Sequence, residues 1–295
     1  CAAIRALDER KDEGLDKVLA IAAALPETLT GLVSALGWVS APGLKGIVSG
    51  LLTSSDPFRQ RIGIAACALH RVDPGPPLVS LVASTEPALR ARAMRCAGEL
   101  GRVDLLPLLV SALQDKDPEC HFRAAQAALL LGDRRTALAA LRDVALQPGP
   151  FRLQALALAL FAAETTSAYE LVKQVASQRE DVRLLIRAVG LAGDTARIPW
   201  LVGLMSDDKL ARLAGEAFSF ITGADLAWLD LERKPPENVG CRPKATPTPP
   251  QPGAQPTLRS FIIQKCPSRS TQLGWPGKGI STAGIRLDSR LARAL

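Results

Sequence analysis

Aromatic residues are scarce in this 295-residue chain, at 4%. A β-sandwich core draws on Tyr, Phe, Val and Thr, so the shortage favours helices packed through small side chains. Histidine is limited to two residues, His70 and His121, which leaves little from which to assemble a metal site. The phosphate-binding Gly-x-x-x-x-Gly-Lys-Ser/Thr loop, the Gly-x-Ser-x-Gly elbow and the His-Glu-x-x-His pair are all missing, so nucleotide-driven and common hydrolytic chemistry lack their usual signatures. Apolar runs fall short of the roughly 20 residues of a membrane span, and no membrane insertion is expected. The six cysteines, at positions 1, 67, 96, 120, 241 and 266, include no Cys-x-x-Cys pair and no disulfide-framework spacing. They read as reduced thiols of a cytoplasmic protein. The start, Cys1-Ala2-Ala3-Ile4-Arg5, carries neither an initiator Met nor a secretory pattern. A soluble chain missing its true N-terminus is the expectation.

Acidic residues are also unevenly missing. The formal charge is +7, yet residues 1–234 hold 27 basic against 27 acidic side chains, while residues 235–295 hold 9 against 2. A neutral body argues against an extended phosphate-binding surface, so no nucleic acid partner is expected. The tail also contains 10 of the 22 prolines. Two domains follow: a helical repeat body over 1–234 and a Pro-rich basic tail over 235–295, expected to be extended or disordered. The stretch from Pro247 to Pro250 fits a ligand for an aromatic-lined groove or a plain linker. The abrupt change of composition is also what a translated wrong frame would produce.

What the body does contain is a repeat. Asp56-Pro57-Phe58-Arg59, Glu86-Pro87-Ala88-Leu89-Arg90 and Asp117-Pro118 through Arg123 each open an alanine-rich stretch that closes near a glycine. Looser copies follow at Gly149-Pro150-Phe151-Arg152, Glu180-Asp181-Val182-Arg183 and Asp207 through Arg212. An acid before proline marks a helix start, because the carboxylate accepts from free backbone N–H groups and proline has no N–H to leave unpaired. A shorter amphipathic run precedes each start, for example Leu105, Leu108, Leu109 and Leu113. Each unit is therefore a helical hairpin. With a further hairpin over 12–39 the count is about seven, and hairpins that cannot bury both faces alone must stack into an α-solenoid. Gly98, Gly101, Gly132, Gly190 and Gly193 fall where these helices should end.

In most units an acid at the turn is followed five or six residues later by arginine: Asp56 by Arg61, Glu86 by Arg92, Asp117 by Arg123, Asp181 by Arg187 and Asp207 by Arg212; stacking would align them as a ladder of structural ion pairs and caps joining neighbouring repeats, or as a ligand-binding strip. Cys67 and His70 stand three apart on one helix without further ligands, and Cys120 and His121 are adjacent, so Cys67 and Cys96 read as small buried side chains. Glu99 and Glu216 sit in apolar runs, where burial would raise a carboxyl pKa, but neither has a partner base in view. Trp38, Trp200 and Trp228 follow the helical period and are expected in the core or between repeats. No catalytic, cofactor-binding or metal-binding residue is assigned.

Several stretches in order carry a family resemblance: Leu36-Gly37-Trp38, Arg61 through Gly75, Leu89-Arg90-Ala91-Arg92-Ala93 through Gly98-Glu99-Leu100-Gly101-Arg102, Leu130-Leu131-Gly132-Asp133, and Pro199-Trp200-Leu201 through Ile221-Thr222-Gly223. Over about residues 30–232 the chain resembles an uncharacterised bacterial HEAT-repeat family encoded in type VI secretion gene clusters. The resemblance implies an all-α, HEAT-like solenoid acting as a cytoplasmic accessory of a contractile secretion apparatus. It implies no enzymatic activity, cofactor or functional residue. The expected role is a non-catalytic scaffold or adaptor whose concave face binds a protein, a secretion component or an effector. A HEAT-like bilin lyase or isomerase is the enzyme alternative and requires an apolar cleft with a positioned acid. A nucleic-acid-binding repeat protein is the other and requires a basic strip.

Overall fold

The computed structural model describes residues 2–8, 12–178 and 181–231. The tail over 235–295, its Pro247–Pro250 pattern and the boundary at 234 lie outside the described residues, as does Glu180.

Among the described residues the chain forms sixteen α-helices, four short 3-10 turns and no strand. Six hairpins follow one another: Ile47–Thr53 with Pro57–Leu69, Pro77–Val82 with Pro87–Leu100, Leu106–Ser111 with Pro118–Leu130, Thr136–Leu146 with Arg152–Ala162, Thr165–Ser177 with Val182–Ala192, and Ile198–Leu204 with Ala211–Thr222. They are numbered one to six below. Every second helix lies against the second helix of the next hairpin, making one layer, and each first helix packs on its own partner to make the other. The result is an all-α solenoid. The hairpin expected over 12–39 is present as Asp12–Ala24 and Leu29–Trp38, but in an irregular setting. Ala2–Asp8 also packs on Leu29–Trp38, and Leu7, Leu19, Leu36 and Leu44 share one core with Leu51 and Ile62 of hairpin one. Terminal units of a stack are commonly atypical because they have only one neighbour.

Several second helices begin at an acidic residue, in hairpins one to three just before proline, for a reason visible in their bonds. Asp56, Asp117 and Asp181 accept from the backbone N–H of Phe58, Cys120 and Leu184, each at 2.9 Å, worth about 1 kcal/mol per cap. Glu86 makes no such cap. Instead Ser84 Oγ accepts from the Glu86 N–H at 3.2 Å, as Ser54 Oγ does from Asp56 at 3.1 Å and Asp115 Oδ1 from Asp117 at 2.9 Å. The polar residue two positions before the acid is thus a shared part of the turn. In hairpin six the helix starts at Ala211, and Asp207 folds the preceding turn by accepting from Lys209 N–H at 2.8 Å.

The layer of second helices is held together by small side chains. Ala93, Ala97, Ala124, Ala127, Ala155 and Ala159 are wholly buried. Two of the glycines placed at helix ends by the periodicity are instead contact points within helices. A β-carbon on Gly98 would stand 2.7 Å from Ala127 Cα and 2.9 Å from its Cβ; on Gly190 it would stand 3.0 Å from Ala217 Cβ. The missing side chain lets neighbouring helices approach closely, and that outweighs glycine's weaker helix preference of about 1 kcal/mol. Gly101 and Gly193, at φ 73° and 69°, do end their helices. Where the seam widens, Phe122 fills it, wholly buried and stacked on Phe151 with ring centroids 4.8 Å apart.

Candidate interaction surface

Two columns of side chains run through the second-helix layer in steps of 31 residues. The first is Arg59, Arg90, His121, Arg152 and Arg183. Four of its members hold turns between helices, while Arg59 pairs with Asp16 of Asp12–Ala24. Arg90 Nη1 donates to the Ser84 carbonyl of its own turn at 2.7 Å, and its Nε and Nη2 donate to Asp115 of the next turn at 2.7 and 3.1 Å. Arg152 repeats the pattern, donating to the Ala145 carbonyl at 3.2 Å and to Gln178 Oε1 of the next turn at 2.5 Å. Arg183 reaches the Lys209 carbonyl at 2.9 Å. His121 donates from Nδ1 to the Leu113 carbonyl at 2.7 Å, taking the arginine's place in hairpin three. Arg123 and Arg212, aligned with this column on sequence, do not belong to it.

The arginines that join neighbouring repeats are not the five that follow the turn acids. None of the five acid–arginine pairs within a unit forms among the described residues. The ion pairs that join different segments are Arg90 with Asp115, Arg102 with Asp73 at 2.9 Å, Arg59 with Asp16 at 2.8 Å, and Arg152 with Asp181 at 3.8 Å, while Arg92 and Arg95 with Glu99 and Arg123 with Glu119 each stay within one helix. An arginine five or six residues past the cap has turned away from it, whereas Arg90, Arg152 and Arg183, at the first turns of their helices, lie beside the next hairpin's loop.

The second column is Arg61, Arg92, Arg123, Gln154, Leu185 and Glu216. In hairpin two it broadens along one helix face through Arg95 to Glu99, since positions three and four apart are neighbours. Glu99 accepts from Arg92 Nη1 at 3.1 Å and from Arg95 Nε at 2.7 Å. Burial pushes its pKa up, but the two guanidinium groups outweigh burial and leave it below the ordinary value. Glu99 is therefore an ionised anchor, not the raised-pKa acid that its apolar surroundings suggest. Glu216 is exposed, so it is not a buried carboxylate either.

Arg123 lies over the Phe122 and Phe151 rings, 5.2 and 5.6 Å from their centroids, and donates to Gln126 Oε1 at 3.0 Å. Glu119 stands 3.6 Å from its Nε. Burial, and then the charges of Arg95 and Arg92, bring its pKa down to about 10, so it stays charged at neutral pH. Beyond this basic cluster the same face turns apolar. The equivalents of Glu99 one and two steps on are Leu130 and Phe161, 47% and 52% exposed.

The other singled-out residues are dispersed. His70 Nε2 bonds the Leu36 carbonyl at 2.7 Å, and Cys120 Sγ donates to the Pro87 carbonyl at 3.3 Å. Cys67, Cys96 and Cys120 are buried free thiols; burial pushes Cys96 and Cys120 up to about 12. Among the described residues no three His, Cys, Asp or Glu side chains are grouped to hold a metal ion, and no single helix is long and apolar enough to cross a membrane. Trp38 and Trp228, expected in the core, are 79% and 83% exposed. Trp38 is the last residue of Leu29–Trp38, and Trp228 lies in the turn after Ala211–Thr222. A groove of about 670 Å³ runs past Arg142, Tyr169, Lys173 and Arg197. Its buried acid, Asp194, is engaged by the Ala196 N–H at 3.1 Å. Charged side chains share that lining with Tyr169, Val172 and Ala196.

With the stacked hairpins and their exposed face described, the comparison with known families is direct. Residues 75–161 match a family described as HEAT repeats. The match runs from the turn before hairpin two almost to the end of hairpin four, and so contains the Arg92, Arg95, Glu99, Arg123, Leu130 and Phe161 face. No curated protein and no solved structure matches the chain. HEAT repeats generally serve as protein-interaction scaffolds, because stacked hairpins create a surface longer than any one of them.

Proposed function

We propose that this chain is a non-catalytic scaffold or adaptor that binds protein through the exposed face of its second helices. The observation that carries the reading is the run of that face from Arg92 to Phe161 within the HEAT-matching segment. Its Arg92, Arg95 and Glu99 are held by mutual hydrogen bonds yet partly open to solvent, the combination that makes a preorganised binding surface. The stretches shared with the family of type VI secretion clusters support a cytoplasmic accessory of a contractile apparatus, with its partner among the components or effectors of that apparatus. The test is affinity capture with the full chain as bait in lysate of the source cells, beside a Phe161→Ser variant. Capture of secretion components by the wild type and their loss with the variant supports the reading. Retention of a coloured small molecule or nucleic acid, with no protein, refutes it.

A further inference from the structure

The face just described has a polarity along the stack. Arg61, Arg92, Arg95 and Arg123 stand on hairpins one to three against two carboxylates, Glu99 and Glu119. Arg61 is half-buried and makes no ion pair among the described residues. Arg92 and Arg95 spend their bonds on the single Glu99, and guanidinium groups have further N–H donors in a fixed fork suited to carboxylates. The cluster is crowded because the Gly98 contact on Ala127 draws the helices of hairpins two and three together. Next along the face come the exposed Leu130 and Phe161. Past them the column continues as Leu185 and ends at Glu216.

We infer that this face binds an acidic protein segment followed by bulky apolar side chains, its carboxylates on Arg61, Arg92 and Arg95 and its apolar end on Leu130 and Phe161. The inference rests on the protein-binding reading and specifies the partner's chemistry. Second helices about 8–10 Å apart put Arg61 and Phe161 roughly 24–30 Å from each other, so about eight extended residues span them. The apolar half and the terminal Glu216 set the face against a nucleic acid, whose phosphates repeat along its whole length and need basic contacts throughout.

The test is fluorescence anisotropy of the full chain with a labelled peptide carrying a block of glutamates followed by phenylalanine and leucine. Controls are the same peptide with glutamine for glutamate, and a single-stranded oligonucleotide. The glutamate peptide is expected to bind, with the glutamine control at least about tenfold weaker. Arg61→Glu and Phe161→Ser should each weaken binding by about tenfold, while Val79→Ser on the first-helix layer leaves it unchanged. Circular dichroism of each variant checks that the helices are retained. Equal binding of the glutamine peptide, failure of the glutamate peptide to bind, or indifference to both face variants overturns the inference. So does preferential oligonucleotide binding that ignores Phe161→Ser. Should the peptide fail while the wild-type chain still captures secretion components from lysate, the inference alone falls; capture of no protein removes the scaffold reading as well.

Discussion

Arg90 and Asp115, 25 residues apart and in different hairpins, are joined by two parallel hydrogen bonds of 2.7 and 3.1 Å, with both side chains mostly buried. Asp115 also accepts from the Asp117 N–H at 2.9 Å, so one carboxylate fixes the turn that starts a helix and ties that turn to the preceding hairpin. Asp115→Ala removes both roles and strands the guanidinium. The expected loss is about 1–3 kcal/mol, read as a lower urea midpoint. A midpoint unchanged from wild type would mean the bond contributes nothing to the stack.

The same pair sets an acid limit. The hydrogen bond from Arg90 holds the Asp115 carboxyl below its ordinary pKa, and Glu99 is lowered by Arg95 and Arg92 against its burial. A carboxylate with a lowered folded pKa contributes stability that is complete above its unfolded value, about 4, and disappears as pH falls through the folded value. Urea midpoints should fall as pH drops below about 4, and less steeply in Asp115→Asn, which has lost that titration.

Glycines in helices separate by what surrounds them. A β-carbon at Gly98 meets Ala127 backbone at 2.7 Å, whereas at Gly31, within Leu29–Trp38, it meets nothing within 4 Å. Gly98→Ala should therefore destabilise by about 1–3 kcal/mol through overpacking. Gly31→Ala should stabilise by about 0.5–1 kcal/mol through helix propensity. Thermal unfolding of the two variants checks both signs.

Much of this architecture was legible in the chain. Acid–proline starts, alanine seams and the repeat period name an all-α stack because each follows from local backbone chemistry. Partners were harder to read. Sequence aligns Arg123 with Arg90 because both are arginines after a proline, but the 31-residue step selects His121, and only the stacked geometry shows His121 and Arg90 both bonding turn carbonyls. Gly98 looks like a terminator in the sequence because glycine ends helices more often than it lines a helix contact. Trp38 and Trp228 show the converse error: one closes its helix and the other lies in the turn after Ala211–Thr222, and apolar spacing alone does not mark those ends. The exposed face could have been found from Glu99, Leu130 and Phe161, three successive repeat positions whose side chains alternate with buried alanines.

The thiols give a further check. Cys67, Cys96 and Cys120 are buried, and burial raises each pKa, Cys96 and Cys120 to about 12. In a chain with Cys1, Cys241 and Cys266 replaced by serine, a disulfide-exchange reagent at about pH 8 should react only after denaturant is added, because thiolate and access are both lacking. Rapid labelling of the folded chain would show that the second-helix layer opens.

The central claim is that protein binding occurs on the second-helix face. The most direct measurement is photocrosslinking in source cells, with a benzophenone amino acid at position 161 on that face, or at position 79 on the first-helix layer. The account predicts a discrete crosslinked protein from position 161 and none from position 79. A protein crosslinked only from position 79, or no protein from either, would contradict it.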